Sequence, residues 1–166
     1  MDELEAEMDR IFAARDRERM QPTIDAFERL LAEHPDNPRL VYEVGGSYDT
    51  AGEEETALGF YARALELGLA GTLRRQCLLQ LGSTFRQLGR FDESLDVLDR
   101  AIAEFPDSPS LPVWKAFTLH ASGHPNAAFA VLLDTIADHI DSPEITRYEP
   151  ALRGNADDIR ELGDEA

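Results

Sequence analysis

Apolar residues recur at helical spacing along most of this chain. Leu4, Met8, Ile11 and Phe12 fall at i, i+4, i+7 and i+8, one stripe on a helix predicted over 2–18. Ile24, Phe27, Leu30 and Leu31 form the stripe of a second helix over 22–34, opened by Pro22 and ended by His34-Pro35. The pattern continues with helices over 38–51, 54–68, 72–88, 91–105, 109–121, 125–139 and 144–162. No alternating strand pattern of useful length interrupts them. Asn37-Pro38, Ser108-Pro109 and Ser142-Pro143 each set a capping residue ahead of a first-turn proline. Pro112 and Pro150 are expected to disturb the starts of the seventh and ninth helices. The tail from Gly163 is expected to fray.

The core positions themselves repeat. Val41, Val44-Gly45, Tyr48, Gly52, Ala57, Tyr61 and Ala64 are echoed by Leu78, Leu81-Gly82, Phe85, Gly89, Ser94, Leu98, Ala101 and Pro106. Pro109 and Pro143 are 34 residues apart, and the turn glycines Gly52, Gly89 and Gly123 are spaced by 37 and 34. The extra residues of the longer interval lie near Gly68-Leu69-Ala70-Gly71, a flexible link. Small residues at Gly45, Gly82 and Ala116 let a partner helix approach, and Ala57, Ser94 and Ala128 do the same from the other side. Tyr48, Phe85, Tyr61 and Leu98 fill the space between layers. Glycine inside a helix costs ~1 kcal/mol relative to alanine, so its recurrence at one position argues for a steric role.

These residues resemble the tetratricopeptide repeat, W-x2-L-G-x2-Y followed by A-x3-F-x2-A and a terminal proline. The match is good over about 38–140 and weak over 1–36, where Ile11 replaces the glycine. The run LGRFDESLDVLDRAIAEFPDSPSL further resembles small bacterial members built of repeats alone. The resemblance implies an all-α, right-handed tetratricopeptide-type helical solenoid of about four antiparallel helix pairs plus a C-terminal capping helix. The whole chain, 1–166, then forms one domain. Residues 1–36 are a degenerate first pair, 38–71 and 72–106 well-matched repeats, 109–140 a divergent repeat and 143–162 the cap.

Such solenoids hold a peptide or helix along a concave face lined by the first helix of each repeat. By repeat position, the resemblance places there Arg39, Tyr42, Glu43, Gly46 and Asp49 from one repeat. It adds Gln76, Leu79, Gln80, Ser83, Arg86 and Gln87 from the next, and Val113, Trp114, Phe117 and His120 from the last. Tyr42, Leu79, Val113, Trp114 and Phe117 would be apolar anchors and Arg86 a polar clamp, the residue types that interfaces favour. Lys115 stands where the repeat wants an apolar residue, so Trp114 and Phe117 remain open between groove and core. Family members that bind chaperone tails clamp a C-terminal carboxylate with Lys, Arg and Asn. Here those positions hold Tyr42, Gly46, Leu79, Ser83, Val113 and Phe117, which points instead to an apolar or amphipathic protein segment.

Composition narrows the remaining classes. The net charge of −17 would repel nucleic acid and anionic membrane, so neither is expected as a partner. The charge is uneven: residues 1–70 carry 17 acidic and 7 basic side chains, 71–140 carry 8 and 6, and 141–166 carry 8 and 3. No apolar run approaches the ~20 residues needed to span a bilayer. The acidic start is the reverse of a signal peptide, and a single cysteine fits a reducing compartment, so the expected location is cytoplasmic.

Catalytic chemistry finds no constellation. Cys77 reads as a packing residue, His120 and His124 as a solvated turn, and Glu53-Glu54-Glu55 as a helix start favoured by the dipole. No metal, cofactor or enzyme activity is expected. The function implied is a non-catalytic protein–protein interaction module. The alternative is a scaffold that homo-oligomerises, for instance as a homodimer, through its terminal helices, because poorly capped solenoid ends expose apolar faces.

Overall fold

A computed structural model describes residues 3–163. Its helices are α1 (Glu3–Ala14), α2 (Gln21–Glu33), α3 (Pro38–Thr50), α4 (Glu54–Glu66), α5 (Gly71–Gln87), α6 (Phe91–Glu104), α7 (Ser110–Ala121), α8 (Pro125–His139) and α9 (Pro143–Leu162). No strand occurs among the described residues, and none of their helices is long and apolar enough to cross a membrane. The predicted start at Asp2, and the fraying expected beyond Gly163, fall outside the described residues. The chain forms two compact units, the first ending at Thr84 and the second beginning at Phe85 within α5.

In the first unit α1 packs on α2, α2 on α3 and α3 on α4. Met8, Phe27, Leu40 and Val44 are at most 1% exposed and form the centre, with Leu4, Ile11, Leu30, Leu31, Tyr48 and Phe60 packed around them. Burying side chains of this size stabilises the fold by about 1.5–3 kcal/mol each. The apolar stripe of α1 is therefore used inside its own unit, and only Phe12 is left largely exposed. α1 stops at Ala14, earlier than its periodicity predicts. Asp16 is the reason: its Oδ1 accepts the Glu18 N–H at 3.0 Å and its carbonyl accepts the Arg19 N–H at 3.0 Å, a local turn that competes with the helix.

Gly45 sits where α3 meets α4. A Cβ there would lie 3.0 Å from the Cβ of Phe60, 3.0 Å from Cδ1 of Tyr61 and 3.1 Å from its Cε1. The steric role expected of this glycine is thus literal. Gly52 closes the turn between the same helices with φ +80°, a backbone conformation that side chains disfavour. Cys77 brings α5 against α4, with its Sγ 3.7 Å from the Tyr61 carbonyl; burial pushes its thiol up to about 12, the behaviour of a packing residue.

In the second unit α6 packs on α7, α7 on α8 and α8 on α9. Leu98, Ala101, Leu111 and Ala130 are fully buried, and Ala116 nearly so. The hydroxyls of Ser94 and Thr118 meet at 2.9 Å within this core, satisfying each other. Lys115 stands in an apolar repeat position yet needs no burial, because its Nζ reaches Asp99 on α6 at 2.5 Å. α9 runs unbroken through Pro150. That proline cannot donate to the Thr146 carbonyl, but both residues are exposed, so water can supply the missing bond.

Candidate partner-binding site

The first unit carries a cleft of about 510 Å³. Its floor is α3, through Arg39, Tyr42, Glu43, Gly46, Ser47 and Thr50. One wall is the end of α1 and the connection to α2, with Asp9, Phe12, Arg15, Arg17 and Met20; the other is α5, with Leu73, Gln76, Leu79 and Gln80. The repeat register of α3 and α5 explains two of the three sides. Positions one turn apart on each first helix point the same way, so Tyr42 and Gly46, and Gln76 and Gln80, share a face.

Charge in the cleft is organised by Arg39. Its guanidinium bonds Glu5 and Asp9 of α1 and lies 3.7 Å from Glu43 on its own helix. Burial works against the charge of Arg39, and Asp9 and Glu5 more than offset it, so its pKa lies above the ordinary arginine value. Glu43 is 8% exposed; burial raises its carboxyl above the usual range, opposed by the charges of Arg39 and Arg15. Arg39 thus acts inside the protein, pinning α1 across α3. Tyr42 is also mostly interior: it is 8% exposed, tilts against Tyr61 with ring centroids 6.1 Å apart, and has its phenol pKa raised by burial.

Asp49 lies on the same helix but is engaged beneath the cleft rather than in it. Its Oδ2 accepts the Tyr61 hydroxyl at 3.0 Å, and its Oδ1 lies 3.2 Å from the Thr84 hydroxyl. Burial raises the Asp49 carboxyl despite these bonds.

The remaining sequence-predicted residues are distributed differently. Ser83 is half-buried in the first unit and does not line the cleft. Arg86, Val113, Trp114, Phe117 and His120 belong to the second unit. There Trp114 is half-buried and Phe117 is 52% exposed, meeting edge to face with centroids 5.7 Å apart. Phe117 is therefore a surface residue of α7; the buried ones are Leu111, Ala116 and Thr118. His120 is exposed, and the ring of His124 bonds the Ser122 hydroxyl at 3.0 Å in the turn before α8. Among the described residues no group of His, Cys, Asp and Glu is arranged to hold a metal ion.

Repeat register misses the wall made by Phe12, Arg15 and Arg17. Phe12 lies in the last turn of the degenerate first helix and Arg15 and Arg17 follow it, where no repeat position assigns them a direction. The one signal available was Phe12, the last residue of a stripe that the core does not absorb.

The second unit has an apolar groove of about 200 Å³ along α8 and α9, lined by Phe129, Leu133, Tyr148, Ala151, Leu152, Asn155 and Ile159. Phe129 is 53% and Tyr148 54% exposed.

A comparison with solved structures finds 22 matching chains. One, described as the crystal structure of MamA protein, is 17% identical with a TM-score of 0.66, covering 95% of this chain and 88% of that one. Another, MamA MSR-1 C2, is 17% identical with a TM-score of 0.55, covering 86% of this chain and 68% of that one. At that identity the likeness shows a shared helical-repeat fold. No curated protein matches significantly in sequence. The model of the family described as Tetratrico peptide repeat matches residues 38–159, most of the chain and every helix from α3 into α9. With that match, an all-α architecture and a glycine whose Cβ would strike the facing helix, the chain belongs to the tetratricopeptide repeat family, as an all-α helical solenoid of the kind that mediates protein–protein interaction.

Proposed function

We propose that this protein-interaction module holds an extended or helical segment of a partner in the cleft between α1, α3 and α5. The observation that carries the reading is the cleft itself: a volume of ligand size, apolar along Phe12, Leu73 and Leu79, with polar groups spaced between them. The partner segment is apolar or amphipathic, and no step of catalysis is assigned to the site. Trp114 and Phe117 offer a separate aromatic surface on the second unit for the same kind of partner. The repeats at 38–71 and 72–106 form the cleft together with the end of α1 and the connection to α2, and the repeat at 109–140 carries the aromatic pair.

Leu79 is the better test residue than Tyr42, whose truncation would also open the core beside Tyr61. Leu79→Glu places a charge on the cleft wall and is expected to weaken capture of a partner by about tenfold or more, with helicity and melting temperature retained. Undiminished capture by the folded variant would remove this cleft from consideration.

A second reading, self-assembly, is favoured by the α8–α9 groove with its exposed Phe129 and Tyr148. Since α1 has spent its apolar stripe internally, the sticky end would be the C-terminal one. Sedimentation at rising concentration should then show association that Tyr148→Glu abolishes. A chain that stays monomeric at the highest soluble concentration excludes it.

A further inference from the structure

We propose that the cleft selects an acidic segment, one whose carboxylates meet Arg15 and Arg17 while its main chain crosses α3 over Gly46. This rests on the reading that the cleft is the binding site and adds the chemistry of what enters it.

Both carboxylates that line the cleft, Asp9 and Glu43, are engaged by Arg39. Arg15 and Arg17 line the same cleft, and among the described residues neither forms an ion pair with a carboxylate. Arg15 is held in place rather than neutralised: its Nη1 donates to the Phe12 carbonyl at 2.6 Å, and its guanidinium lies 3.6 Å above the Phe12 ring. A chain of net charge −17 thus keeps two cations without an ion-pair partner among the described residues at this cleft, Arg15 acting on Glu43 only at a distance, beside an aromatic ring that is 45% exposed. A segment with carboxylates next to apolar side chains complements Arg15 and Arg17 in charge and the Phe12 ring in hydrophobicity, a local match within a unit that is acidic as a whole.

Gly46 supplies an independent observation. Its neighbour Gly45 is explained by packing, since a Cβ there would strike Phe60 and Tyr61. A Cβ on Gly46 would meet nothing closer than the Tyr61 hydroxyl, at 3.9 Å. Glycine is unfavourable within a helix, and nothing inside this unit requires it at Gly46. On the cleft floor its effect is to leave room, since a side chain there would hold off whatever crosses α3. On the adjoining wall, Gln80 Oε1 is buried without a hydrogen-bond partner among the described residues. That oxygen is an acceptor for an N–H of a crossing main chain.

The test is selection of a displayed random peptide library on the full-length protein at low salt. The expected result is a pool in which Asp or Glu alternates with Leu, Ile, Phe or Tyr. A synthetic representative should bind about tenfold or more weakly to Arg17→Glu, which breaks no hydrogen bond or ion pair among the described residues, and should weaken as salt rises. Gly46→Leu should abolish binding, and Gly46→Ala should weaken it while raising the melting temperature. A pool that is neutral or basic, yet sensitive to Gly46→Leu, overturns the acidic selectivity and leaves the cleft reading intact. Peptides indifferent to both Gly46→Leu and Leu79→Glu overturn the cleft reading itself.

Discussion

Gly45→Leu is expected to destabilise the first unit by about 3 kcal/mol, because overpacking a close helix contact forces backbone to move. The contact is unforgiving for a specific reason. The nearest atom is the Cβ of Phe60, 3.0 Å from where the new Cβ would stand. A Cβ cannot rotate out of the way, so α3 and α4 must separate. That separation would loosen Tyr61, which is fully buried, and the stacking of Tyr48 on Phe60, whose rings lie 5.5 Å apart at 8°. Gly45→Ala sets two terms against each other: about 1 kcal/mol of helix propensity gained and the same clash at its smallest. The clash should win, with a net loss of about 1 kcal/mol. Gly46→Ala is the control one residue along. It gains the same propensity with no neighbour inside 3.9 Å, so it should stabilise by up to about 1 kcal/mol. Thermal unfolding followed by far-UV circular dichroism separates the three, since each kcal/mol moves the midpoint by roughly 2–4 °C in a chain of 166 residues. Equal destabilisation by alanine at both glycines would show that helix packing is not what fixes Gly45.

The periodic parts of this architecture were legible in advance, and the aperiodic parts were not. Proline and glycine mark helix ends through backbone geometry alone. Hence Asn37-Pro38, Ser142-Pro143, Gly52 and Gly123 located boundaries that agree closely with α3, α9 and the turns before α4 and α8. The end of α1 was misplaced because a turn around Asp16 depends on two hydrogen bonds, not on a pattern. The cleft divides in the same way. Its α3 and α5 sides follow from repeat register, whereas Phe12, Arg15 and Arg17 lie at and just after the end of a helix whose repeat is degenerate. Register also assigns a direction without assigning a partner. Arg39 faces where the repeat says, yet its charge is taken up by Glu5 and Asp9 of this same chain. A charged residue on a repeat's inner face can serve the ligand or the neighbouring helix, and only the position of the opposing carboxylates decides between them.

Asp49 gives the sharpest electrostatic expectation. Asp49→Ala should cost about 2 kcal/mol, because the hydroxyl of the fully buried Tyr61 loses its acceptor. Asp49→Asn should do the opposite and stabilise the protein at neutral pH by about 1 kcal/mol. The reason is a shortage of protons. Thr84 has one hydroxyl hydrogen, and two acceptors lie within reach: the Gln80 carbonyl at 2.8 Å and Asp49 Oδ1 at 3.2 Å. When that hydrogen goes to Gln80, the ionised Oδ1 faces a lone pair across 3.2 Å in a largely dehydrated site. An asparagine resolves the conflict, since its Nδ2 donates to Thr84 Oγ1 and its Oδ1 still accepts from Tyr61. A protonated Asp49 does the same, which agrees with the upward shift of its carboxyl by burial. The pH dependence then has a definite sign. A carboxyl raised in the folded state contributes stability that is fully present below its unfolded pKa and lost as pH rises through the folded one. The advantage of Asp49→Asn over the parent protein should therefore be greatest near neutrality and vanish below the ordinary aspartate range. Carboxylates remote from Asp49 titrate alike in both proteins and cancel in the difference; Glu54, whose charge acts on Asp49, is the exception. An advantage that persists unchanged into acid would mean that the charge of Asp49 is not what the substitution relieves.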